Sequence, residues 1–147
     1  MRTGVLFPAI PGWVYIGPME KFLFRFDRMF TPMLMGMGVH PGNSSVVLSD
    51  DDRFVATFGR WKVDTPLSNI DCIQVSGPYR WYRAIGVRGS RVDNGITFGS
   101  STAGGVCVTF HEPVRRLIKG MPNHPGLTVT VVDTARLATE LELRTGS

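Results

Sequence analysis

The fold is decided by residues 45–64, which read SVVLSDDDRFVATFGRWKVD. The apolar run Ser45–Ser49 ends at three consecutive aspartates, and a second apolar-rich run, Arg53–Phe58, follows them. Two such runs joined by a few acidic turn residues predict a β-hairpin. Gly59 permits a bend, after which Arg60–Asp64 shows the alternation of a half-buried strand. This stretch therefore predicts three consecutive strands.

Strand patterns continue on both sides of this stretch. Upstream, Phe22–Asp27 has the aromatic alternation of a strand. Downstream, the strand candidates are Asn69–Ser76, Ile85–Ser90, Gly95–Phe98, Val106–Phe110 and Gly126–Val132. Turn residues lie between several of them, such as the proline in Thr65–Ser68 and the tight-turn sequence Asp93-Asn94-Gly95. The 17 Gly and 10 Pro of the 147-residue chain also favour many short strands over a helical bundle.

Only the C-terminal end predicts a helix. Asp133 is a suitable N-cap, and Leu137 and Leu141 lie four positions apart on one face of Thr134–Leu143. The expected fold is therefore mainly β (α+β), with seven or eight short strands followed by one amphipathic helix.

The N-terminal part and the cysteines bear on where the chain works. Residues 1–21 show no sustained period, so we expect an irregular N-terminal segment followed by a single domain over residues 22–147. Two prolines interrupt residues 1–15, which makes them a poor signal peptide. Cys72 and Cys107 cannot form a disulfide framework, and we expect free thiols buried in the strands of a cytoplasmic protein.

A methionine-rich segment, Met29–Val39, is broken by Pro32, Gly36 and Gly38. Its apolar length of about ten residues is too short to span a bilayer. Because methionine packs irregular gaps well, we expect a flexible core filler here rather than a segment that dips into a membrane.

Positive charge is concentrated in the middle of the chain. Residues 53–91 contain seven basic and two acidic residues, a net charge of +5, whereas the whole chain has a net charge of +4. Such a segment attracts anions. Its densest part, residues 79–91, has four arginines and three aromatic residues and no acid. The candidate binding residues in it are Tyr79, Arg80, Trp81, Tyr82, Arg83 and Arg88.

This composition suits several kinds of ligand. Arg, Trp and Tyr are typical of the hot spots of protein interfaces. Arginine also binds phosphate or carboxylate, and Trp and Tyr suit membrane interfaces, so an anionic lipid or a small anionic ligand is an alternative. A platform for single-stranded nucleic acid has a similar composition and is less favoured. A purely structural role is also open, in which Trp81 and one tyrosine pack under the sheet and the arginines pair with carboxylates.

Motifs for catalysis, metal binding and cofactor binding are missing from the sequence. The three histidines lack the spacing of zinc motifs, and no phosphate-binding glycine motif is present. We therefore expect a non-enzymatic protein without metal, cofactor or catalytic residue. An enzyme stays the second alternative, because carboxylates such as Asp64, Asp93 and Glu112 can meet in a fold without leaving a linear motif.

One stretch carries a resemblance to known domains. Residues 58–70, FGRWKVDTPLSNI, resemble the polar strand and following Pro-Leu-x-x-Ile of bacterial pleckstrin-homology-like (PH-like) domains. Four further segments are similar to an actinobacterial family of small conserved proteins without an assigned function: GPYRWYRAIG at 77–86, GITFG at 95–99, GVCVTF at 105–110 and HPGLTVTV at 124–131. This likeness covers residues 22–143.

The resemblance implies a seven- to eight-stranded antiparallel PH-like roll or barrel closed by the C-terminal helix. Fold alone does not fix function, so the prediction of function depends on the arginine and aromatic residues. Together they predict a non-enzymatic binding module, with a protein partner or self-association favoured and an anionic lipid or small anionic ligand at residues 79–91 as the alternative. No segment is long enough to span a membrane, so we expect a cytoplasmic location, with peripheral attachment at the inner face of the membrane if lipid is the ligand.

Overall fold

The computed structural model describes residues 5–6, 15–16, 19–90 and 93–146. Its strands are β1 Val5–Leu6, β2 Tyr15–Ile16, β3 Glu20–Leu23, β4 Ser44–Leu48, β5 Arg53–Phe58, β6 Trp61–Pro66, β7 Ile70–Ser76, β8 Gly86–Gly89, β9 Ile96–Gly99, β10 Gly105–Val114 and β11 His124–Val129. Its helices are α1 Thr31–Gly36, α2 Trp81–Ala84 and α3 Thr134–Thr145. The chain is mainly β, as the sequence predicts, and none of the helices described is long and apolar enough to cross a membrane.

The predicted hairpin is confirmed and forms the centre of a four-stranded antiparallel sheet. β4 and β5 pair with Leu48 opposite Phe54 and Ser44 opposite Phe58. Their turn passes through Asp52 at φ 63°, a conformation that aspartate tolerates better than most residues. β3 and β6 pair along the outer sides, which gives the order β3–β4–β5–β6.

The second sheet has five strands in the order β7–β10–β11–β9–β8. β9 and β11 run parallel, with Leu127 opposite Ile96, so the predicted purely antiparallel order is wrong at this pair. β11 lies between β9 and β10, so the connection from β9 to β10 passes the end of β11. Because β11 then returns antiparallel to β10, it runs parallel to β9. Asp27 holds that connection by accepting hydrogen bonds from the Thr102 N–H at 3.0 Å and the Ser101 hydroxyl at 2.9 Å.

The two sheets meet at one corner and enclose an apolar core. Beyond the end of β3, Phe24 forms a β-bridge with Val131, which follows β11. Inside, Phe58 of the first sheet stacks on Phe98 of the second, with ring centroids 5.3 Å apart. Aromatic contacts of this kind contribute about 0.5–1.5 kcal/mol beyond area burial, so this pair helps to hold the sheets together.

The C-terminal helix is confirmed over Thr134–Thr145. The Asp133 carboxylate caps it by accepting a hydrogen bond from the Arg136 N–H at 3.0 Å. Leu137 and Leu141 are fully buried, and α3 packs on β7 and β10 of the five-stranded sheet.

One ion pair and one hydrogen bond also tie α3 to the four-stranded sheet, and a second ion pair lies within the helix. Near its end, Arg144 Nε donates to Glu140 Oε1 at 3.0 Å, and both side chains are almost fully buried. Arg144 Nη1 also donates to the Ser49 carbonyl oxygen at 3.4 Å, just beyond β4. At the start of the helix, Arg136 Nη2 donates to Oε2 of the buried Glu20 in β3 at 2.5 Å. Both ends of α3 are therefore fixed to the first sheet.

One burial prediction is wrong in β7. The cysteines are free thiols, as expected, but Cys72 is exposed and Cys107 is only partly buried. The pairing of β7 with β10 shifts by one residue at Asp71, just beyond the Cys72–Thr109 pair. Because one extra residue reverses which side of a sheet an alternating pattern faces, Cys72 lies with the exposed Thr109 on the outer face.

Candidate binding surface

α1 exposes most of the methionine-rich segment. Four of its methionines are 38% to 79% exposed: Met29, Met33, Met35 and Met37. Leu34, within the same helix, is fully buried. The expectation of a core filler is therefore wrong for these four side chains. A six-residue helix presents too few positions to bury more than a narrow strip, and Leu34 occupies that strip.

α2 lies beside α1 and adds a tryptophan. Trp81 is 54% exposed, and its ring stacks on Phe30 with centroids 6.5 Å apart and an interplanar angle of 24°. At the end of α1, Met37 approaches the start of β8, since a Cβ placed on Gly86 would lie 3.8 Å from Met37 Cε. We call the four exposed methionines and Trp81 the Met–Trp surface.

Arginines border this surface. Arg28 and Arg80 are exposed and directly precede its first methionine and its tryptophan in the chain. Arg88 lies at its Gly86 end, where Arg88 Nε donates to the Ile85 carbonyl oxygen at 2.7 Å. That hydrogen bond holds the guanidinium close to the chain that follows α2.

Carboxylates are missing from the segments that form the Met–Trp surface. The sequence has no acidic residue from 28 to 49 or from 72 to 92. Asp27, next to the first of these segments, is already held by the β9–β10 connection. Within the described residues, the arginines that border the surface pair with no carboxylate. Their charge is therefore not neutralised locally, and the surface attracts anions.

Three of the six predicted site residues belong to this region. Trp81 lies on the Met–Trp surface, and Arg80 and Arg88 border it. The purely structural alternative is wrong for Trp81, because more than half of this side chain is exposed. The side chains of Tyr82 and Arg83 lie outside the described part of the structure.

Tyr79 faces a different part of the fold. Its hydroxyl lies 2.5 Å from the Ser76 hydroxyl, and a Cβ on Gly105 would come within 3.1 Å of it. Its N–H donates to the Thr102 carbonyl oxygen at 2.8 Å. Burial raises the pKa of Tyr79 above 10.0, the hydrogen bond with Ser76 lowers this pKa, and the nearby Cys107 raises it. Tyr79 thus anchors the chain before α2.

Sequence reasoning missed the methionines as site residues. A usable signal was present, because Met29–Val39 is apolar on all sides but is interrupted by proline and glycine. Such a segment cannot form a helix long enough to bury all of its apolar side chains, and contiguous apolar side chains left at a surface often mark an interaction site.

The carboxylates considered for an enzyme come together only in part. Asp64, His111 and Glu112 line one depression of about 480 Å³, whereas Asp93 lines another cavity. Asp64 accepts a hydrogen bond from Arg53 Nε at 2.7 Å, and the three side chains of the depression are exposed to solvent. Within the described ranges, no group of three or more His, Cys, Asp or Glu residues is placed to hold a metal ion.

Comparisons with family models, with curated proteins and with solved structures find no match to this chain. The likeness to PH-like domains and to the actinobacterial family therefore stays a prediction. The residues of the Met–Trp surface and the arginines beside it are the candidate functional residues of the chain.

Proposed function

We propose that the chain is a non-enzymatic binding module that docks an acidic protein segment with apolar anchors on the Met–Trp surface. The observation that carries this proposal is the exposure of four methionines and a tryptophan beside arginines that form no ion pair with a carboxylate among the residues the structure describes. A complementary partner has aliphatic or aromatic side chains to cover the apolar part and acidic residues to meet the arginines.

The side chains of this surface favour protein over lipid as the occupant. Methionine is flexible and polarisable, and it is common on surfaces that adapt to several protein partners. Trp and Arg are the residues most enriched among interface hot spots, and Trp81 is supported from below by its stacking on Phe30. Membrane interfaces rely more on Trp and Tyr than on methionine.

The scaffold we propose for this module is a PH-like roll. The antiparallel order β3–β4–β5–β6 and the C-terminal helix support it, whereas the parallel pairing of β9 with β11 departs from it. We further propose a cytoplasmic location, which the free Cys72 and Cys107 thiols support because reduced cysteines are usual in that compartment.

A peptide-binding experiment tests the proposal. The probe is a labelled amphipathic helical peptide with Leu and Phe on one face and Glu on the other, compared with the same peptide carrying Lys in place of Glu. We expect only the Glu peptide to bind, and Trp81→Ala to weaken its affinity about thirtyfold, the loss at which a residue counts as a hot spot. The matched control is Val132→Ser/Leu143→Ser, which removes exposed apolar side chains outside the Met–Trp surface and should leave the affinity unchanged.

Four results would overturn it. Equal binding of the Lys peptide would remove the role of charge, and equal losses in Trp81→Ala and in the control would remove the role of the surface. Trp81-dependent co-sedimentation with phosphatidylserine vesicles, without peptide binding, would make the occupant a membrane. A dimer that Trp81→Ala dissociates, again without peptide binding, would make the occupant a second copy of the chain.

A further inference from the structure

A second cationic region lies in the loop that connects β10 to β11. Arg115, Arg116 and Lys119 are exposed and line a cavity of about 260 Å³, together with Leu117, Ile118 and Asn123. This loop lies outside the charge-rich middle of the sequence. It belongs to residues 92–147, which have as many acidic as basic residues.

Hydrogen bonds from the loop backbone fix the segment that carries these side chains. The Arg116 N–H donates to Asn123 Oδ1 at 3.1 Å, and the Leu117 N–H donates to His124 Nε2 at 3.0 Å. His124 is fully buried, and its Nδ1 lies 2.8 Å from the Asn94 carbonyl oxygen. Because Nε2 accepts, Nδ1 carries the proton and donates, so one neutral imidazole joins the loop to the turn before β9.

Apolar contacts fix the same loop from below. Leu117 and Ile118 pack against the core. Met121 and Ile118 lie over Gly89 of β8 so closely that a Cβ on this glycine would collide with the Met121 side chain. The backbone that carries the three cations is thus built into the fold, which lowers the ordering cost of binding a ligand there.

By the lining of the cavities described, carboxylates are close to only one of the three cations: Arg115 also lines the depression that contains Asp64 and Glu112. The sequence has no acidic residue from 113 to 132. Within the described ranges, no carboxylate pairs with Arg115, Arg116 or Lys119. Three cations at one small cavity, without an ion pair in the described part of the chain, create a local positive potential that favours a ligand with more than one negative charge.

We propose that this cavity binds a phosphate monoester. Two guanidinium groups can each donate two parallel hydrogen bonds to phosphate oxygens, and Lys119 adds a point charge. A phosphate monoester is close to doubly negative at neutral pH and offers three acceptor oxygens, which matches two arginines and a lysine better than a carboxylate does. The monoester can be a soluble molecule or the headgroup of phosphatidic acid.

Nuclear magnetic resonance on the full chain tests this site, with inorganic phosphate as the probe and ionic strength held constant with chloride. We expect the amide signals of Arg116, Leu117 and Asn123 to shift on titration. Arg115→Gln/Arg116→Gln should raise the Kd for phosphate tenfold or more, a loss of about 1.4 kcal/mol, because charge-assisted hydrogen bonds to phosphate are stronger than neutral ones. Lys21→Gln/Lys62→Gln lowers the net charge equally at exposed positions of the first sheet and should change the Kd less than about twofold.

Vesicles distinguish the two sources of phosphate. Co-sedimentation with vesicles of phosphatidic acid in phosphatidylcholine that is lost in Arg115→Gln/Arg116→Gln would identify the lipid headgroup as the ligand. Binding of inorganic phosphate without co-sedimentation would identify a soluble phosphate monoester as the ligand. The site is refuted if phosphate shifts no signal in the loop, or if both double variants lose affinity equally. Trp81→Ala should leave phosphate binding unchanged, so this proposal can fail or succeed independently of the protein-binding surface.

Discussion

The two helices α3 and α1 differ in how much of their apolar surface they bury. α3 has 12 residues, is capped by Asp133 and buries Leu137 and Leu141 completely. α1 has six residues, lacks a side-chain hydrogen bond at its N-cap Phe30, and buries only Leu34. Buried apolar area stabilises a fold, whereas exposed apolar area is available to a partner. The difference separates an element that holds the molecule together from one that presents side chains.

The strongest test of this comparison is Leu141→Ala in α3. Removing a fully buried leucine side chain should lower the free energy of unfolding by about 2–5 kcal/mol, because the cavity adds to the lost transfer free energy. Urea denaturation measures this loss. Leu143→Ala in the same helix truncates an exposed leucine and should cost less than about 1 kcal/mol. Equal small losses in both variants would show that α3 is not part of the core.

The cap of α3 gives the second test. Asp133→Ala removes the acceptor of the Arg136 N–H and should lower the free energy of unfolding by about 1 kcal/mol. Asp133→Asn is the control, because asparagine also accepts at an N-cap. A loss of the same size in both variants would assign the effect to the charge of Asp133 instead of to its hydrogen bond.

The third test concerns the chain that leads into α2, next to α1, where Tyr79 is anchored. Its raised pKa means that the folded protein holds the phenolic proton more tightly than the unfolded chain does. The stability from this group is complete below the ordinary pKa of 10.0 and is lost as pH rises through the folded value. Tyr79→Phe should cost about 1 kcal/mol at neutral pH, from the hydrogen bond with Ser76, and should lose less stability than the parent above about pH 10.

Denaturation between about pH 8 and pH 11 measures that difference. Parallel stability curves for the two proteins over this range would contradict the assignment. Tyrosinate absorbance offers a second readout, because the variant should lack the late-titrating phenol.

The smallest effect is expected at α1. Met33→Ser/Met35→Ser changes two exposed side chains and should alter the free energy of unfolding by no more than about 0.5 kcal/mol per site. The same double variant should weaken the binding of the Glu peptide. A stability loss as large as that of Leu141→Ala would mean that the methionines are part of the packing, and the contrast between the two helices would disappear.

Local signals explain what could be predicted of the fold. The β4–β5 hairpin and α3 depend on turn residues, alternation and capping within a few positions of each other, and both were predicted from the sequence. The parallel pairing of β9 with β11 was not predicted, because it places Leu127 opposite Ile96 although the whole of β10 lies between them in the sequence. The exposure of Cys72 was missed because it depends on one extra residue in β7.

The candidate site was predictable where chemistry is concentrated in sequence. Trp81 and Arg80 were found because arginines and aromatic residues cluster there. The methionines in and beside α1 were assigned to the core on composition alone, although the proline and glycines of this segment already limit the helix to a few residues. The cations of the β10–β11 loop were hidden by the equal number of acids in residues 92–147, although three of those five acids, Asp133, Glu140 and Glu142, belong to α3 and its N-cap.

The link between Arg144 and the Ser49 carbonyl joins residues 95 positions apart. Contacts of such long range form late, because the loop between them must close before they contribute. During synthesis β7 and β10, on which α3 packs, are complete at Val114, 30 residues before residue 144, and chains are made at about 5–20 residues per second. The apolar surface that Leu137 and Leu141 cover therefore stays exposed to water for seconds. A nascent chain has to be kept from aggregating until α3 has emerged.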